Sequence, residues 1–177
     1  MVTMKKTEAE RFLALSEEVL EHPVYDWQQQ YYHHQSLTIY DHSLVVAFLA
    51  WRIAKTLGLS QKAVIRGGLL HDFFLYDWHV EGRRNPKPLL KKHGFTHADE
   101  ALLNAEFFFE LNDMERDIIA THMFPLNIRP PAYLESILVN VVDTWVTFRE
   151  FIAGKSGAPH PIIPFVRENR KKKHRGG

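Results

Sequence analysis

A chain of 177 residues, 45% hydrophobic and with 22 Lys or Arg against 21 Asp or Glu, is long enough to bury a substantial core as one globular domain. The absence of cysteine excludes disulfides, thiolate metal sites and cysteine nucleophiles, fits a reducing cytoplasm, and leaves nitrogen and oxygen as the main metal ligands. The segment MVTMKKTEAERFLALSEEV is charged every few residues, and no later run reaches the roughly 20 apolar residues of a membrane span, so a soluble, cytoplasmic protein without a membrane partner is expected.

Helix signals dominate the chain. Thr7 with Glu10 reads as a capping box ahead of Phe12, Leu13, Leu15, Val19 and Leu20, a helix that should stop before Pro23. Thr38 or Asp41 could cap a second helix through Leu57, with His42, Val45, Val46, Leu49 and Ile53 facing inward and Gly58 as the stop. Ser60 opens a third, running to the adjacent His71 and Asp72. From Phe73 to Phe95 the chain is rich in Gly, Pro, Lys and Arg and reads as a long basic flap beside that pair. Thr96 with Asp99 opens a helix through Leu111, Asn112 with Glu115 opens one ending near Met123 and Pro125, and Pro131 precedes a long apolar helix to about Ile152. Strand signals are weak and no repeat is present, so an all-α bundle is expected.

The net charge of +1 conceals a division, because residues 167–177 hold six Lys or Arg against one acidic residue. The rest of the chain is left at about −4. A solvated terminus is the favoured reading of this basic tail, ahead of contact with nucleic acid, since no aromatic residue interleaves its charges.

Six residues on five predicted helices offer imidazole or carboxylate to a common centre: His42, His71, Asp72, His97, His122 and Asp143. Asp143 is the most informative, because it interrupts ILVNVVDTWV. A carboxylate in a buried apolar helix costs several kcal/mol unless it is neutralised, paired or bound to metal; a cation or an arginine would serve. Imidazole and carboxylate together suit Fe, Mn, Zn or Ni, and a carboxylate can bridge two ions. His22, His160 and His174 read as ordinary histidines.

This order of ligands resembles the HD-domain superfamily of metal-dependent phosphohydrolases. The resemblance rests on DHSLVVA at 41–47, GGLLHD at 67–72 and the later Asp143, and covers roughly residues 30–150. It implies an all-α, HD-domain-like helical bundle, with one domain over 1–166 and the basic tail at 167–177. It also implies that His42, His71, Asp72 and Asp143 bind one divalent transition metal. His97 and His122 match the places of two further histidines found in two-metal members, with Asp72 then bridging and His71 and Asp72 at the catalytic centre. His93, one turn before His97, competes for the first of those places.

The implied chemistry is hydrolysis of a small phosphorylated metabolite or nucleotide by metal-activated water. Arg66, Lys91 and Lys92 are the candidate phosphate-binding residues, while Tyr76, Trp78 and Phe95 could stack on a base, though core packing is the readier explanation. The residues after Asp72 are Phe73, Phe74 and Leu75 rather than an apolar residue followed by Gly-Lys, which turns the reading away from cyclic-dinucleotide phosphodiesterases. HD-type di-iron oxygenases share the ligand order and are the enzyme alternative. A nucleic-acid-binding module using the tail is the non-enzyme one, and the sequence leaves the oligomeric state open.

Overall fold

The computed structural model describes residues 4–34, 37–74, 93–153 and 158–175. Within them α1 spans Lys6–Leu20, a 3-10 segment Pro23–Gln30, α2 Ile39–Leu57, α3 Gln61–Leu70, α4 His93–Phe108, α5 Asp113–Thr121, α6 Leu134–Ala153 and α7 Ile162–Arg175. The fold is all-α apart from one short antiparallel pair, β1 (Tyr32–His34) with β2 (Leu37–Thr38), which the sequence pattern did not announce. Lys91 and Lys92, Tyr76 and Trp78, and most of the expected flap lie outside the described residues.

The caps explain most element boundaries. Thr38, not Asp41, caps α2 by accepting the Asp41 N–H at 3.2 Å, and Gly58 ends it in the left-handed region with φ 71°. Ser60 caps α3, and Asn112 with Glu115 forms the full reciprocal box at α5. Two helix starts differ from the sequence expectation, and the helix expected to run through Leu111 stops at Phe108. α1 begins at Lys6, so Thr7 lies inside its first turn, and the Lys5 carbonyl accepts from Glu8 and Ala9 instead of a side-chain cap closing the end. α4 begins at His93, three residues before Thr96, and takes in the last part of the expected flap.

Four helices, α2, α3, α5 and α6, form the centre: α2 packs on α3 and α6, and α5 packs on α3 and α6. Close approach is built into the GG of GGLLHD. A Cβ on Gly67 would stand 2.6 Å from Ile118 of α5, and one on Gly68 would stand 3.0 Å from the Ala47 backbone of α2. Only bare backbone lets α3 lie so near both neighbours. Along α2 the buried face turns to Ala50, Trp51 and Ala54 near the C-terminal end, which leaves Ile53 exposed, contrary to the inward position expected for it.

One hydrophobic cluster runs from Ala9 to Val166, so packing extends well beyond the 30–150 window of the resemblance. Phe12, Phe48 and Trp51 meet edge-on or tilted at 5.3–5.9 Å and anchor α1 on α2. The residues of the basic tail continue α7 as a helix docked on the body. Ile162, Ile163 and Val166 are buried, Arg167 forks onto both oxygens of Asp41 at 2.7–2.8 Å, and Arg170 reaches Asp26 at 2.6 Å and Glu21 at 3.2 Å. Arg167 and Arg170 depart from the expected solvated terminus because Asp41 on α2, Asp26 on the 3-10 segment and Glu21 at the end of α1 pair with them, while residues 171–175 are exposed.

Candidate metal centre

Backbone carbonyls left over at two helix ends set the geometry. α3 stops at Leu70 and α5 at Thr121, and the next residue in each case is a histidine whose Nδ1 donates back to a carbonyl of its own last turn: His71 to Gly68 O and His122 to Ile119 O, both at 2.8 Å. A carbonyl can only accept, so the proton sits on Nδ1 and the Nε2 lone pair of a neutral ring points away from the helix. Both Nε2 atoms are buried and lack a hydrogen-bond partner among the described residues. An orphaned buried imidazole nitrogen is costly unless a proton or a cation fills the place. The partial negative charge of the two helix C-termini favours a cation in the same volume.

Neighbouring side chains hold those ends still. Tyr25 donates to Leu69 O and Gln28 to Asp72 O, both at 3.0 Å, while Asn104 donates to Phe73 O at 3.0 Å. Asn127 donates to Ala120 O at 2.9 Å, and Asn140 of α6 donates to the carbonyls of His122 and Phe124. The ring positions are therefore set from both sides before any ligand arrives.

All six residues singled out from the sequence converge and are buried. His42 Nε2 lies 3.0 Å from Asp143 Oδ1, and His71 Nε2 lies 3.6 Å from both Asp143 Oδ1 and Asp72 Oδ2. On the other side of Asp72, Oδ1 is 2.9 Å from His97 Nε2 and 3.3 Å from His122 Nε2. Two overlapping groups have ligand atoms close enough to hold a cation, His42–His71–Asp72 and Asp72–His97–His122. Asp72 belongs to both. Of the two histidines that compete for this place, His97 reaches Asp72, and Phe74 packs against its ring with centroids 4.2 Å apart, while the side chain of His93 lies outside the described residues.

Asp143 has its partner in two histidines; no arginine pairs with it among the described residues. Burial alone would raise its pKa, but the hydrogen bond from His42 and the charges of His71 and His42 hold it well below the usual carboxylate range. The reverse holds for the histidines. Burial would lower the pKa of His42, yet hydrogen bonds and charge from Asp143 and Glu150 push it up to about 9. For His71 the same burial effect is outweighed by the nearby charges of Asp72 and Asp143 and the Nδ1 bond to Gly68 O, again giving about 9. The pocket demands positive charge.

Glu150 is the residue that sequence reasoning missed. Its Oε1 accepts from His42 Nδ1 at 3.0 Å, the carboxylate-to-imidazole contact that orients a metal-binding histidine. The signal was present: Glu150 lies seven residues after Asp143, about 20° away around the same helix.

Arg66 is corrected. It is buried in α3, donates to Glu115 Oε1 at 2.9 Å and to Glu110 O at 2.6 Å, and pairs with Glu18, so its guanidinium is engaged in joining α3 to α1 and α5 instead of facing a substrate. Its position on the helix face opposite the ligands could be read only with α5 in place. The three histidines taken as ordinary have structural contacts: His22 accepts from Val24 N, His160 accepts from Ile162 N with its pKa lowered to about 4 by burial and the nearby Arg149 and Arg52, and His174 pairs with Glu21.

Compared with known protein families, the chain matches the HD domain over residues 39–145, the segment that carries all six candidate ligands, from the start of α2 to Asp143 in α6. No curated protein and no solved structure matches it.

Proposed function

The chain belongs to the HD-domain family, and from that premise we propose that it is a phosphohydrolase holding two divalent transition metal ions and acting on a small phosphorylated metabolite or nucleotide. The observation that carries the reading is the shared Asp72, with one carboxylate oxygen toward His97 and His122 and the other toward His71. Such a carboxylate is suited to bridging two cations. In this reading His42, His71, Asp72 and Asp143 hold one ion, and Asp72, His97 and His122 hold the other. Bound divalent cations make water a usable nucleophile near neutral pH and offset charge developing on a phosphoryl group.

The chain's own part is positional. The Nδ1 bonds of His71 and His122 present Nε2 to the centre, Glu150 does the same for His42 through its other nitrogen, and buried Phe73 and Phe74 border the pair with apolar surface. Phosphate contacts from Lys91 and Lys92 remain part of the proposal. A nucleic-acid module built on the tail is disfavoured by the engagement of Arg167 and Arg170 with acidic groups of the body.

The test is a screen of phosphorylated compounds for released phosphate with Mn, Fe, Zn or Ni added, run beside a measurement of oxygen uptake. Phosphate release that is abolished in Asp72→Asn, with the helical circular-dichroism signal kept and bound metal lost, is the expected result. Oxygen uptake without phosphate release would replace the hydrolase by an oxygenase. Near-normal turnover in Asp72→Asn would overturn the site assignment.

A further inference from the structure

The helix that carries Asp143 and Glu150 has a second face that the metal centre does not use. Leu134, Ile137, Val141, Trp145, Phe148 and Ile152 are each between 46% and 68% exposed, and Phe151 beside them is 81% exposed. Around the helix the six lie about 120° to 200° from Asp143, opposite the ligands. A surface helix normally turns polar residues outward; one that is apolar all round is a buried helix. With roughly 150–250 Å² for a whole aromatic side chain and somewhat less for Leu, Ile and Val, the stripe together with Phe151 exposes on the order of 700–800 Å². That exceeds the largest apolar patch of an ordinary monomer, about 300–600 Å², and equals what one partner contributes to a standard interface, about 800 Å².

We propose that this outer face of α6 is a two-fold interface joining two copies of the chain. The spacing of the residues points to self-pairing. Counted from Asp143 the six fall at −9, −6, −2, +2, +5 and +9, a pattern that reads nearly the same in both directions. In an antiparallel pairing centred there, Leu134 of one copy meets Ile152 of the other, Val141 meets Trp145, and Ile137 meets Phe148. This is the self-complementarity that a two-fold contact requires, in which each residue meets the other's counterpart. The alternating steps of four and three also suit helix-on-helix packing. No charged residue interrupts the stripe, so like charges do not oppose one another across the axis, and Arg149 on its flank lies over the Trp145 ring at 5.0 Å. A lipid surface is the poorer occupant. Helices that lie on membranes are rich in Lys and Arg along their polar side, whereas α6 has Arg149 alone against Glu135, Asp143 and Glu150.

Sedimentation equilibrium of the full chain, metal-loaded and metal-free, reads the association directly. A mass of twice the chain is expected at micromolar concentrations, with Phe148→Glu and Val141→Glu each raising the dissociation constant at least 100-fold while the circular-dichroism spectrum is kept. The absence of cysteine permits a second measurement that needs no disruptive change. Thr144→Cys, next to the axis, should form a disulfide-linked dimer under mild oxidation. Leu134→Cys should not, because its two copies would stand about 27 Å apart along an antiparallel pair. A chain that stays monomeric up to millimolar concentration overturns the proposal, as does a dimer indifferent to both glutamate variants. Cross-linking through Leu134→Cys but not Thr144→Cys, or a monomer that co-sediments with phosphatidylglycerol vesicles, overturns it as well.

Discussion

At the scale of single residues, the centre is a set of carboxylates whose charge must be balanced by protons or by cations. In metal-free protein the protons sit on His42 and His71, whose pKa values are pushed up to about 9. Metal binding has to displace them, so affinity should rise with pH up to about 9, by as much as about tenfold per pH unit for every proton released. Competition titration with a metallochromic chelator between pH 6 and 9 checks this; an affinity flat over that range would place the protons elsewhere. Stability of the metal-free protein should move in the opposite direction. A pKa raised above its unfolded value contributes stability fully below the ordinary imidazole range and loses it as pH rises through about 9, so the melting temperature should fall over that interval and added metal should restore it. Glu150→Gln tests the positioning of His42 separately. The amide keeps the size but gives up the charge at Nδ1, and metal affinity should drop about 10–100-fold with the fold intact.

At the scale of elements, the site depends on how closely α3 can lie to its neighbours. Gly67→Ala puts a methyl group 2.6 Å from Ile118 Cγ2, so α3 or α5 must move. Overpacking of this kind costs about 1–3 kcal/mol. The shift also separates His71 from His122, whose rings are 5.0 Å apart. Denaturant unfolding should therefore show the stability loss together with weakened metal binding, and Ile118→Ala in the same chain should recover part of both. A loss of stability with metal affinity unchanged would mean that the glycine serves packing alone. Capping residues act at the same scale: Asp117 accepts from Ser136 Oγ at 2.6 Å and Ala132 N at 2.9 Å, and Glu135 accepts from Ser60 N at 2.9 Å. These bonds tie the start of α6 to α5 and the start of α3 to α6, which fixes the register at which Asp143 faces His42.

At the scale of the whole molecule, α7 closes the body over α1, the 3-10 segment and α2. Removal of residues 167–177 deletes the Arg167–Asp41 and Arg170–Asp26 pairs and leaves Asp41 buried without its cation. Burial already raises the pKa of Asp41 despite the half-exposed Arg167, so the truncated protein should lose about 1–3 kcal/mol of stability, the cost of leaving a buried polar group without its partner. Thermal unfolding of the truncated chain measures it. A melting temperature unchanged by the deletion would return the segment to the status of a solvated tail. Among the described residues no helix is long and apolar enough to cross a membrane.

The sequence by itself determined the helical class, most helix starts and the six His and Asp residues that cluster at the candidate site. Those follow from local rules: a hydroxyl or amide before a helix, a glycine after it, and polar ligands set at intervals in apolar runs. The contact of His97 with Asp72, Glu150 behind His42, the engagement of Arg66 with Glu115 and the docking of Arg167 on Asp41 were decided by tertiary structure. In each case the partner lies 25 or more residues away in the chain, and a pairing energy depends on distance and burial that no local pattern encodes. The glycine pair at 67 and 68 shows the same division within one motif: its identity is written in the chain, but its reason is the position of Ile118 and Ala47 on two other helices.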